Sequence, residues 1–205
     1  MNSLRLFTGA AALVACTAFA TTHVVSARQD RSAPPADMGM MDPAMMARMA
    51  ELAAPGPAHA EFAKLAGTWE DSYVVNMPGM PPMDTKGTRT IKSLLGGRYI
   101  LEEMEFNMMG MAMQGMSIMG YDNLKKEYVS IWMDSMSTWP IFSRGTKNQS
   151  GEVETKGTMV DAAGERPFRM VWRQKGPNEV EAEMYDTIPP QGEIKVMTIK
   201  STRKR

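Results

Sequence analysis

The sequence predicts an all-β fold: an antiparallel up-and-down barrel of roughly ten strands with a short N-terminal helix, a β-sandwich being the alternative. Three observations lead there. From Gly67 onward the chain breaks into short apolar-rich segments at even spacing, with no sustained helical pattern. Several segments alternate with a period of two. Phe168, Met170 and Trp172 share one face while Arg169 and Arg173 take the other, and Val180, Ala182 and Met184 face away from Glu179, Glu181 and Glu183. An antiparallel strand reads this way when one side is dry and the other wet. The connectors are turn chemistry: Gly96-Gly97, Asn148-Gln149-Ser150-Gly151, Ala163-Gly164, Gly176-Pro177-Asn178 and Pro189-Pro190-Gln191-Gly192. Closure removes exposed strand edges, which favours a barrel over an open sheet.

Taken in order, residues 1–20 read as a secretory signal. Arg5 precedes an apolar run over 6–15, too short to cross a bilayer, which takes about 20 helical residues. Leu13-Val14-Ala15-Cys16 resembles a bacterial lipobox, in which Cys16 is the site of lipid attachment and the mature N-terminus. Ala18-Phe19-Ala20 and Val25-Ser26-Ala27 offer ordinary small-x-Ala cleavage instead, so removal could extend to residue 27. Both routes imply export, to the periplasm or cell envelope, and the first adds membrane anchoring. Cys16 is the sole cysteine, so the fold has no internal disulfide and rests on packing.

Residues 28–56 form a Met/Pro-rich tether. Within it, Asp42-Pro43 reads as an N-cap and first helical position, followed by Met45, Met46, Met49 and Leu52 at helical spacing until Pro55-Gly56-Pro57. Residues 57–205 are the barrel domain. It opens with a one- to two-turn helix over 59–66, where Phe62 and Leu65 recur at i,i+3, packed under the domain. The strands are expected at 68–75, 85–94, 98–106, 113–120, 127–134, 140–146, 152–160, 167–174, 179–186 and 193–202. Closure would pair the first with the last and bring Arg203 onto the indole of Trp69, latching the barrel.

An ordered set of motifs carries a resemblance: His59, Leu65-Ala66-Gly67-Thr68-Trp69, Leu95-Gly96-Gly97-Arg98-Tyr99, Met109-Gly110-Met111, Gly120-Tyr121-Asp122-Asn123, Lys126-Glu127-Tyr128-Val129-Ser130, the run from Trp132 to Thr138, and Thr202-Arg203-Lys204. Over roughly residues 57–205 the chain resembles the bacterial domain-of-unknown-function 1579 family. The resemblance implies a calycin-like barrel and no assigned activity. Pro140-Ile141-Phe142 departs from the smaller, Gly-containing segment it implies there, and Gly67-x-Trp69 also echoes lipocalins.

Chemistry has few candidates. Lys+Arg and Asp+Glu balance at 23 each, so no field recruits nucleic acid. His59 stands alone before a short helix, where a capping role outweighs a general base, and no Ser-His-Asp or nucleophilic Cys set exists. Glu102, Glu103 and Glu105 fall on both faces of one strand. No catalytic residue, metal ligand or cofactor is therefore assigned. The 23 methionines cluster at Met38, Met40, Met41, Met45, Met46 and Met49, and again at Met108, Met109, Met111, Met113, Met116 and Met119. Thioethers suit copper(I), which makes a Met-based copper protein the first rival, yet methionine fills irregular cores well and that is the preferred account. The leading expectation is non-catalytic binding of a small apolar or amphipathic ligand in the barrel. Tyr121, Tyr128, Trp132, Asp134, Trp139, Arg144 and Trp172 are the residues placed in or at the mouth of its cavity. A structural envelope module without a cavity is the second rival, and protein partners are not specified.

Overall fold

A computed structural model of the chain describes residues 42–205 apart from Met109. The signal segment, Cys16, both cleavage sites and the tether through Met41 lie outside the described residues. Two helices precede the sheet. Asp42 starts α1 (Pro43–Ala53): its Oδ1 accepts from the Ala44 N–H at 3.0 Å, and Pro43, having no N–H to lose, occupies the first turn. None of its residues is buried, and Met45, Met46 and Met49 stand exposed. Its last turn is held by Asn123, whose Nδ2 donates to the carbonyls of Leu52 and Ala54 at 2.9 and 2.8 Å. The second helix, α2 (Pro57–Ala63), buries His59 and Phe62.

Ten strands follow: β1 (Gly67–Val75), β2 (Met83–Leu94), β3 (Tyr99–Met108), β4 (Met111–Asp122), β5 (Glu127–Asp134), β6 (Ile141–Lys147), β7 (Val153–Asp161), β8 (Gly164–Gly176), β9 (Glu179–Ile188) and β10 (Gly192–Arg203). Each falls on a segment expected from the sequence, its ends displaced by at most a few residues. Every strand pairs antiparallel with its sequence neighbours, and β1 pairs with β10, so the sheet is a closed up-and-down barrel rather than a sandwich. Trp69 lies opposite Arg203 in that last pairing. The period-two pattern is plain in β1, where Trp69, Asp71, Tyr73 and Val75 point inward and are buried while Glu70, Ser72 and Val74 are exposed.

The two ends of the barrel differ. At one end α2 inserts Phe62, 1% exposed, against Trp69, Ile91, Ile100, Tyr128, Val153 and Val180. Phe62 meets the Tyr128 ring edge-on at 5.6 Å, and the Trp69 indole N–H donates to the Leu65 carbonyl at 2.8 Å, fixing the turn between helix and β1. This end is plugged. At the other rim no helix is present among the described residues. Its connections carry exposed Met77 and Met80 between β1 and β2, Met111 at the β3–β4 hairpin, and Met136 and Trp139 between β5 and β6.

Candidate functional site

Between plug and open rim the barrel encloses a cavity of about 280 Å³. Interiors are otherwise packed with few voids larger than a water, so space on this scale is a feature of the fold. Its walls are apolar in the main, and six are methionines: Met104, Met119, Met159, Met170, Met184 and Met197. Each sits on the inward face of its strand. Unbranched, polarizable side chains of this kind adapt to the shape of what they touch.

One wall is charged. Asp71 on β1, Arg89 on β2, Glu102 on β3 and Ser201 on β10 occupy inward positions of four adjacent strands. Asp71 is directly opposite Ser201, Arg89 opposite Trp69, and Glu102 opposite Ile91. Arg89 is thus a diagonal neighbour of both carboxylates, a separation of about 7–8 Å between backbones that a long side chain spans. Its Nη1 donates to Glu102 Oε1 and its Nη2 to Asp71 Oδ1, each at 3.1 Å, and Nη2 also reaches the Ser201 hydroxyl. The Tyr73 hydroxyl donates to the other Asp71 oxygen at 2.9 Å. The side chains of Asp71 and Glu102 are 1% and 7% exposed, and that of Arg89 is 12%. Burying charge is costly unless it is paired and hydrogen-bonded, and this network meets that condition almost completely. Among the described residues two of its atoms find no partner: Arg89 Nε is buried without one, and Glu102 Oε2 receives no hydrogen bond.

The titration of these groups follows from the enclosure. Burial pushes the Glu102 carboxyl above its ordinary range; Arg89 pulls it back, and Asp71 adds to the rise. Burial opposes the Arg89 charge, but Glu102 and Asp71 outweigh it and hold the guanidinium above its usual value. Burial, then Asp71, also drives the Tyr73 hydroxyl upward.

The opposite wall carries hydroxyls. Ser130 and Ser143 share a hydrogen bond of 2.7 Å, and Ser143 donates to Thr155 at 3.2 Å, a ladder across β5, β6 and β7. Trp132 and Asp134 lie beside it, joined by an indole N–H donated to Asp134 Oδ2 at 2.7 Å. Trp172 lines the cavity nearer the plug, and its indole nitrogen is buried with no acceptor.

Of the seven residues expected around a ligand, Trp132, Asp134 and Trp172 meet in the cavity. Tyr121 and Tyr128 do not. They pack against one another at 5.0 Å beneath α2, because β4 ends and β5 begins at the plugged end. Trp139 sits in the β5–β6 connection and spends its N–H on the Val160 carbonyl at 2.8 Å. Arg144 is on the outer surface, paired with Glu127 at 2.7 Å, since Ser143 and not Arg144 takes the inward position on β6. Among the three glutamates of β3, Glu102 alone lines the cavity; Glu103 pairs outside with Lys92. His59 accepts the Gly56 N–H on Nδ1 at 3.0 Å and caps α2. Of the methionines in 108–119, Met116 is exposed on the outer surface and Met119 lines the cavity. At the closing seam the Arg203 guanidinium carbon lies 4.3 Å from the centroid of the Trp69 ring, and its nitrogens donate to the carbonyls of Ala66, Lys64 and Pro177. The charged wall was missed. Its signal was a charge on the apolar face of three separate strands: Asp71 between Trp69 and Tyr73, Arg89 two before Ile91, and Glu102 between Ile100 and Met104.

Fold and site together define a small closed antiparallel β-barrel, stoppered at one end and holding a ligand-sized cavity. The chain belongs to the family described as Protein of unknown function (DUF1579), which matches residues 54–203. Its fold is similar to that of Rv2717c from M. tuberculosis, with 11% identity and a TM-score of 0.57 over 74% of this chain and 100% of that one. It is also similar to the S-type phycobiliprotein lyase CPES from Guillardia theta, with 9% identity and a TM-score of 0.52 over 74% and 99%. At these identities the likeness is one of fold. No curated protein matches the sequence.

Proposed function

We propose that the barrel binds one small, mostly apolar molecule without catalysis, in a protein exported to the cell envelope. The observation that carries the binding is the cavity itself: about 280 Å³ of space, walled by six methionines and by Trp132, Trp172 and Phe106, with polar groups confined to definite patches. Ligand pockets share this make-up, at volumes of roughly 300–1,000 Å³, so the occupant is at the small end of the range. Export rests on the apolar run over 6–15 and the small residues after it. The phycobiliprotein lyase lends this chain a fold and no residue.

An apolar, environment-sensitive dye should bind the folded protein near one-to-one. Trp132→Ala should weaken it by about 1–3 kcal/mol, as loss of a buried aromatic anchor does. Native mass spectrometry of protein recovered from its own cell envelope should show a retained small molecule, and on release the mass of a processed N-terminus, lipidated at Cys16 or cleaved beyond it. A protein that takes up no apolar ligand stoichiometrically overturns the binding proposal. An unprocessed N-terminus overturns export.

A further inference from the structure

We infer that the molecule this cavity selects is an amphipathic cation: an apolar body ending in a protonated nitrogen. The inference rests on the binding proposal above and specifies its ligand class. Four charged residues line the cavity, Asp71, Glu102 and Asp134 against Arg89, and among the described residues no lysine or histidine joins them. The lining is therefore acidic by two charges when all four are ionised. Low-dielectric walls concentrate such a field, so the sign of the lining discriminates among ligands of equal size.

An anionic end finds no uncommitted cation to meet, only neutral donors such as the wall hydroxyls and the Trp172 indole N–H. Among the described residues Arg89 is the sole cation in the lining, and each of its terminal nitrogens already donates, Nη1 to Glu102 and Nη2 to Asp71 and Ser201. Of its two remaining N–H groups, the one on Nε is buried without a partner among the described residues. A ligand carboxylate seeking Arg89 would become the third anion around one guanidinium in a buried site, where like charges crowd one another at a cost. A cationic end meets the opposite situation. Glu102, with a side chain 93% buried by its 7% exposure, lines the cavity and uses only Oε1, leaving Oε2 to accept. The cluster as it stands has two carboxylates to one guanidinium, and an ammonium beside Oε2 completes its neutralisation. Burial raises the affinity of the Glu102 carboxyl for protons, with Arg89 opposing and Asp71 adding to the rise. The methionines and Trp132 receive the apolar body, and thioether and indole surfaces near the charge tolerate a cation well.

Three probes of one chain length separate the possibilities: octylamine, octanol and octanoate, measured by calorimetry or by displacement of the bound dye from wild-type protein at neutral pH. The amine should bind at least tenfold more tightly than octanol, and octanoate more weakly than either. In Glu102→Gln, which keeps an oxygen for Arg89, the preference of amine over alcohol should shrink at least threefold. Octanoate equal to or tighter than octylamine in the wild-type protein overturns the inference whether or not the variant folds. If octanol and the dye fail to bind at all, the cavity proposal falls with it; if they bind and the amine gains nothing, only the charge selection falls.

Discussion

At the scale of residues, the charged wall makes the energetics of the barrel depend on pH in a direction that can be stated. Glu102 faces Asp71 and Tyr73 from β1, Arg89 from β2 and Ser201 from β10 across the network they share. Its carboxyl is held above its ordinary range by burial, with Arg89 opposing and Asp71 assisting. The unfolded chain returns it to about 4.3. The folded protein thus holds this proton more tightly than the unfolded one. Its stabilising contribution is complete below the unfolded value and is lost as pH rises through the folded value. Urea unfolding of wild type and Glu102→Gln across a series from about pH 4 to pH 8 should therefore show the wild type losing stability relative to the variant as pH rises. A difference that stays flat would place Glu102 in contact with water, and one that grows in favour of the wild type would mean that Arg89 outweighs burial.

At the scale of elements, α2 and the β1–β10 seam act as one stopper. Phe62 fills the barrel end, and Arg203 spans from the last strand to the carbonyls of Lys64 and Ala66 that close the helix. Gly67 makes room for this. Its φ of +134° suits glycine, and a side chain there would come within 2.7 Å of the Arg203 guanidinium. A double-mutant cycle on unfolding with Trp69→Leu and Arg203→Met should return a coupling of about 0.5–2 kcal/mol. The carbonyl contacts of Arg203 are lost in both backgrounds and cancel, so what survives is the stacking of guanidinium on indole. Strict additivity would remove the latch and leave Arg203 as a cap for the helix carbonyls alone.

At the scale of the whole molecule, the closed ring has no edge strand, and exchange of amide hydrogens should report it. The amides at the β1–β10 junction should be protected as well as those between β8 and β9, within about tenfold, instead of exchanging like a frayed border. Rapid exchange confined to β1 and β10 would mean the ring opens there. Most of this architecture was legible beforehand, since alternation such as Phe168, Met170 and Trp172 states both strand and face. The site was legible only in part, because choosing which face looks inward needs an apolar stripe. Residues 141–147, Ile-Phe-Ser-Arg-Gly-Thr-Lys, have none: small Ser143 turns inward and Phe142 is left 60% exposed, so Arg144 could not be placed from its neighbours. Tyr121 and Tyr128 misled for another reason. They alternate correctly, but a helix from earlier in the chain covers them, and a strand pattern is silent about what caps its end. Asp71, Arg89, Glu102 and Ser201 meet through register between strands up to 130 positions apart, as Asp71 opposite Ser201 shows.

Because β1 lies beside β10, the first strand to leave the ribosome waits for the last before it can be satisfied. Without residues 192–203 the inward row of β1 loses its β10 neighbour, and Arg203 is missing from the Trp69 indole. Closure is thereby tied to the synthesis of residues 192–203, and non-local pairing of this kind is slow, on the order of milliseconds to seconds. The seam works as an inspection of length. A product broken off before β10 keeps the apolar faces of whatever strands it has on display, and is left for proteases while a chain that includes β10 closes and withdraws them.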